Sequence, residues 1–146
     1  MYNMHATSGK PRGGNMEINV TYHQGKEQIA IMQVKGDINA SNFVELSDRA
    51  QELYMNPARN MVIDLSEVPS ISSTGLAAIH NIALLYSGVP QKVKENANPD
   101  FTHSIDARKH VKLLNPQPEV EKNLEKAGLK LFFKIFKDLD TALASF

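Results

Sequence analysis

Cysteine is absent from the 146 residues of the chain. That removes disulfide scaffolding, thiol catalysis and thiolate metal sites, and it suits a reducing cytoplasm, which is the expected location. Net charge is absent too: sixteen basic side chains balance sixteen acidic ones. No overall field therefore draws the protein to nucleic acid or to anionic lipid. No apolar run approaches the length of a membrane span, so no membrane insertion is expected. The five histidines, at positions 5, 23, 80, 103 and 110, lack the spacing of a metal site. The stretch SGKPRGG is not a phosphate-binding loop, because its glycines follow the lysine and no strand precedes it. No cofactor is expected.

Residues 1–15, MYNMHATSGKPRGGN, carry Lys10 and Arg12 but lack the apolar region of a secretory signal. Their composition predicts a disordered arm, with a folded domain over residues 16–146. With 42% hydrophobic and 22% charged residues, the chain suits one soluble globular domain with a real core.

Ile18, Val20 and Tyr22 alternate with polar residues, the mark of a strand with one buried face. In QIAIMQVKG, Ile29 and Ile31 lie on one face and Ala30, Met32 and Val34 on the other. A strand covered on both sides is expected there. Phe43, Leu46, Ala50 and Leu53 then recur at helical spacing, and Asn42 with Glu45 has the spacing of a capping box. Pro57 ends this helix near Asn56. NMVIDLSEV predicts another strand, and Leu76 to Tyr86 a nearly all-apolar helix with His80 at the edge of the core.

Residues 88 to about 109 form a polar insertion without sustained periodicity, except for a helical turn near Ile105 to Lys109. It is either a tolerated surface insertion or a partner-selecting loop beside the preceding helix. Arg108, Lys109, His110 and Lys112 read as a solvated basic edge. HVKLLN is a strand, and Pro118 opens a helix with the stripe Val120, Leu124, Ala127 and a stop at Gly128. LFFKIF, residues 131–136, reads as the final strand, and Asp138 or Asp140 opens a last helix through Phe146. The alternation predicts an α/β domain: a mixed sheet of about five strands, the first antiparallel near an edge, with helices mainly on one face.

The join at residues 71–75, ISSTG, sets three hydroxyl side chains at the start of an apolar helix. One reading is plain capping, by Ser72. The other is that one of these hydroxyls is a place where charge is added and removed. The first turn of a helix offers unpaired N–H groups and a partial positive charge, which a phosphate would meet at little cost to the fold. No G-x-S-x-G elbow surrounds Ser73, and no His or acid can be assigned as its base, so an enzyme is not expected.

Three segments carry a family resemblance. VKGDIN, residues 34–39, resembles a V-x-G-x-[LI]-[DN] strand end. VIDLSEVPSISSTGLAAI, residues 62–79, resembles the signature [LIV]-x-[LIV]-D-L-S-x-[VL]-x-[FMY]-[MIL]-D-S-[ST]-G-[LI]. Residues 113–146 resemble a closing N-P-x-P-x-[VI] pattern followed by a terminal helix. Together they resemble STAS domains, in particular bacterial anti-sigma factor antagonists. The resemblance implies a cytoplasmic regulator that binds an anti-sigma factor and so frees a sigma factor. In phospho-regulated members that partner is a serine kinase, and a phosphatase reverses its action.

By the same resemblance the phosphoacceptor falls on Ser73, with Thr74 as a fallback acceptor. The partner surface falls on Asp37, Asn39 and Ser41 together with Ser72, Ser73, Thr74 and Gly75. The chain departs from the pattern where Ser72 stands at the signature Asp and Asn39 at a second Asp of many phosphorylated members. A STAS module that is never phosphorylated, acting as a scaffold, small-ligand binder or accessory subunit of a transporter, uses the same fold.

Overall fold

The computed structural model describes residues 16–25, 27–55, 59–87 and 109–146. The arm and nearly all of the insertion expected from the sequence lie outside these residues. Lys109 and His110 are helical, and they are all that is described near the turn expected at Ile105–Lys109.

Strand β1 (Glu17–Gln24) turns back into β2 (Gln28–Lys35), and the two pair antiparallel from Glu17 opposite Lys35 to Gln24 opposite Gln28. From β2 onward, β3 (Asn60–Glu67), β4 (Val111–Leu114) and β5 (Ile135–Phe136) add in parallel, in the order β1-β2-β3-β4-β5. A parallel neighbour requires a crossover, and crossovers are right-handed. Because the strand order never reverses, every crossover helix falls on the same face.

Helix α1 (Phe43–Met55) leads from β2 to β3, and α2 (Ser73–Tyr86) follows β3. Helices α3 (Pro118–Lys126) and α4 (Leu129–Phe132) lie between β4 and β5. On this face Met32, Val34, Ile63 and Leu113 pack in one core with Leu46, Ala50, Ile79 and Leu124. The last helix, α5 (Leu139–Ala144), has no further strand to reach. It folds onto the opposite face, where Ala142, Leu139 and Phe146 cover Ile29, Val62 and Leu114. The two-sided pattern of β2 reflects this: Ile29 belongs to the small cluster, Ala30, Met32 and Val34 to the large one.

Several local expectations are corrected. Most of the stretch read as a final strand, residues 131–136, is not extended: Leu129–Phe132 is a turn of helix and only Ile135–Phe136 pairs with β4. Gly128, at φ 76°, ends α3 and starts this turn, which rests Leu129 and Phe132 on the core and buries Phe133. Ala127 is exposed, so the buried stripe of α3 is Val120 and Leu124 alone. The last helix stops at Ala144, capped by Asp138, whose carboxylate accepts from the Thr141 N–H at 3.0 Å.

Of the expected basic edge, Arg108 lies outside the described residues and Lys109 is exposed, but the other two are drawn into the fold. Lys112 is only 3% exposed, with its ammonium 5.0 Å from the centroid of the Phe146 ring. His110 is half-buried, its Nδ1 bonded to Asn60 Oδ1 at 2.9 Å. Strand β4 is covered on both faces, so alternate residues cannot all reach water. His80 stands at the core edge, its ring in edge contact with Phe132 at 4.6 Å. Burial holds its pKa below the ordinary histidine value.

Candidate functional site at the start of helix α2

Strands β2 and β3 are parallel neighbours, so the loops at their carboxyl ends emerge side by side. Gly36, at φ 98°, turns the chain out of β2 while its N–H donates to the Glu67 carbonyl at 2.9 Å. One residue of each loop then pairs beyond the strands: Ile38 and Ile71 form a parallel bridge. The Ile38 N–H donates to the Ser70 carbonyl at 3.1 Å, and the Ser72 N–H to the Ile38 carbonyl at 2.9 Å. Both isoleucines are buried.

That bridge brings the first group of expected surface residues against the second. With Ile38 turned inward, Asp37 is exposed and Asn39 half-buried beside it, and Ser41 is exposed further along. Asn39 Oδ1 accepts from the Ser41 N–H at 2.9 Å and from its hydroxyl at 2.6 Å, closing a tight polar turn. Across the bridge, Ser72 is half-buried and extended at φ −83°, ψ 170°, and its Oγ accepts from the Gly75 N–H at 3.1 Å. Ser72 is thus the helix cap.

Ser73 is the first residue of α2 and is exposed, whereas Thr74 is half-buried and Gly75 buried. Among the described residues no hydrogen bond engages the Ser73 hydroxyl. No acidic residue stands in the first turn of α2. An anion on Ser73 would therefore meet the helix's positive end without a carboxylate of that turn opposing it.

Gly75 is required by close approach. A Cβ there would lie 2.8 Å from Ile38 Cγ2, 2.8 Å from Ile71 Cγ1 and 2.9 Å from the Ile38 carbonyl oxygen. Only a residue without a side chain lets α2 begin directly against the bridge.

Three supporting residues were not singled out from the sequence in these roles. Asn42, 2% exposed, accepts from the Asn39 N–H at 2.9 Å and donates to the Asp37 carbonyl at 2.8 Å. Its side chain is spent on the loop before α1, so the expected capping box does not form. From the other side, Gln117 Nε2 donates to the Ser66 carbonyl at 2.9 Å, and Asn123 Nδ2 to the Ile71 carbonyl at 3.3 Å. A helix-disfavouring Asn inside α3, beside its buried stripe, was the available signal for Asn123. Gln117 carried none, since its partner is 51 residues away.

Helix α2 runs from the carboxyl ends of the strands toward their amino ends. Ser87, at its close, and Val111, at the start of β4, therefore flank residues 88–108 at the pole opposite Ser73, about 20 Å along the helix. Among the described residues no three His, Asp or Glu side chains converge as a metal site would require. None of their helices is long and apolar enough to cross a membrane.

The sequence model of the STAS domain family matches residues 22–87, a span that holds both loops and all of α2. No curated protein matches the chain in sequence. Several solved structures share the fold. An anti-sigma factor antagonist from Mycobacterium paratuberculosis superposes with a TM-score of 0.66 at 19% identity, over 89% of this chain and 92% of its own. The anti-sigma factor antagonist SpoIIAA in its unphosphorylated form gives 0.57 at 10% identity, over 85% of this chain and 92% of its own. The phosphorylated form of SpoIIAA, a Bacillus cell fate determinant, gives 0.53 at 10% identity, over 86% and 96%. Residues 22–87 thus match the STAS domain model, within a chain whose five-stranded sheet and helices share the fold of these solved structures.

Proposed function

We propose that the protein is an anti-sigma factor antagonist whose binding is switched by phosphorylation of Ser73. It docks on an anti-sigma factor in the cytoplasm through the loop holding Asp37, Asn39 and Ser41 and the helix start from Ser72 to Gly75. The bound anti-sigma factor releases its sigma factor. The partner, acting as a serine kinase, phosphorylates Ser73 and a phosphatase restores the hydroxyl. The protein itself catalyses nothing.

The single observation that carries this reading is the Ser73 hydroxyl, exposed at the first position of a helix whose start is held entirely by other groups. Ser72 supplies the cap and the Ile38–Ile71 bridge supplies the rigidity, so Ser73 is spare. A phosphate there replaces a small neutral group by a hydrated dianion in the middle of the contact surface. Charge mismatch of that kind costs an interface about 2–4 kcal/mol, or ~30- to 1000-fold in affinity.

The test is intact mass after incubation with the candidate anti-sigma kinase and ATP, followed by binding measurements. One phosphate is expected in the wild type and none in Ser73→Ala. Ser73→Ala is expected to bind the anti-sigma factor and Ser73→Asp to lose it. A phosphate that persists in Ser73→Ala removes Ser73 from the role. No phosphate at all favours a module that binds without being switched, the reading to which Ser72 and Asn39 lend weight by standing where many phosphorylated members carry Asp.

A further inference from the structure

Among the described residues the two edges of the sheet are defended unequally. Strand β5 is two residues long and offers a neighbour almost nothing to pair with. Strand β1 is eight residues long, pairs with β2 in unbroken register, and stands at the other end of the sheet order. Its sequence, EINVTYHQ, holds no lysine and no proline, and it has no bulge. Those are the devices that ordinarily keep an edge strand from pairing.

The sequence of β1 is also complementary to itself. Laid antiparallel against a second copy about Val20, Glu17 faces His23 of the second copy, and Ile18 faces Tyr22 of the second copy. Asn19 and Thr21 face each other in the same way, and every pair occurs twice. The pleat permits this register, because Glu17, Asn19, Thr21 and His23 share one face of the strand and Ile18, Val20 and Tyr22 the other. Ile18 and Tyr22 already pack at the margin of the main core, so their pairing would extend it across the junction. On the other face, Asn19 Nδ2 donates to Glu17 Oε2 at 3.1 Å and steadies the carboxylate beside the place of the imidazole. Shifting the register by two residues in either direction separates Glu17 from His23.

We propose that β1 is a homodimerisation edge, joining two copies into one continuous ten-stranded sheet about a two-fold axis at Val20. The axis stands perpendicular to the sheet. The helices α1, α2 and α3 of both copies then lie on the same face, and the two Ser73 residues point to opposite poles. Each copy keeps its α2 start clear of the junction.

Sedimentation equilibrium of the full chain over a range of concentrations tests this, with amide hydrogen exchange read in parallel. A monomer–dimer equilibrium is expected, with protection of the residue 17–23 amides rising as dimer forms. His23→Glu sets two carboxylates face to face twice per dimer and should weaken association roughly tenfold or more. Glu17→Lys combined with His23→Glu should restore it. A monomer at every concentration overturns the proposal. So does a dimer that His23→Glu leaves intact or that the double variant fails to restore. Concentration-independent protection of those residue 17–23 amides that point away from β2 overturns it too, since another part of the chain would then occupy the edge.

Discussion

The two ends of helix α2 are held by opposite means. At its amino end the fixing groups are mainly backbone, the bridge between Ile38 and Ile71 and the contact of bare Gly75 against it, with a single small side chain, the Ser72 hydroxyl, as cap. At its carboxyl end they are large side chains. Tyr86 donates its phenol to the Ala50 carbonyl at 2.9 Å and meets Tyr54 edge-on at 5.1 Å, while Arg59 lies 4.0 Å over the Tyr54 ring. Burial pushes the Tyr86 phenol pKa up, which keeps it neutral and donating. An end anchored by backbone leaves its side chains available for chemistry. An end anchored by side chains spends them on packing.

The strongest way to break that contrast is Gly75→Ala. The new methyl meets buried side chains and a backbone oxygen, so the amino end has no flexible group to yield, and about 3 kcal/mol of stability should be lost in a urea melt. A cost below about 0.5 kcal/mol would show that the bridge can shift. Next is Asn42→Ala, which strips both hydrogen bonds from the neighbouring loop. It should cost about 2 kcal/mol and also weaken the proposed anti-sigma binding, because Asp37 and Asn39 lose their anchor. Tyr86→Phe sharpens the comparison from the other end. It should cost about 1 kcal/mol in the same melt and leave the proposed phosphorylation at Ser73 unaffected.

The smallest effect concerns His80, midway between the two ends. Its folded pKa lies below the ordinary value of 6.5, so on acidification the unfolded chain takes up its proton first. Stability should therefore be complete above pH 6.5 and fall as pH drops from there through the folded pKa. Replacing His80 by Leu should flatten that slope in melts recorded from pH 8 to pH 5; an unchanged slope would assign it to other groups.

Local patterns disclosed a good part of this. The alternation of Ile18, Val20 and Tyr22, the two-sided β2 and the stripe Leu46, Ala50 and Leu53 each record a periodicity that neighbouring residues impose. The cap at Ser72 was equally legible, since a hydroxyl before an apolar helix needs no distant partner. Misreadings arose where distant packing overrode local preference. Residues 131 and 132 look like strand, yet Gly128 and the core surface fold them into a helical turn. Lys112 looks like an exposed cation, yet α5 crosses its face of the sheet. Asn42 looks like an ordinary cap, yet its amide serves the loop.

By itself, then, the sequence determined the order of elements, the faces of the first strands and the presence of small hydroxyl residues where β3 gives way to α2. Those follow from interactions within a few residues, which hydrophobic period, capping and proline or glycine geometry express directly. Only the tertiary structure decided that the Asp37–Ser41 loop abuts Ser72, that Gln117 and Asn123 brace the junction from across the chain, and that α5 covers the second face. Each depends on which strands become neighbours, and strand order is settled by the burial of the whole sheet.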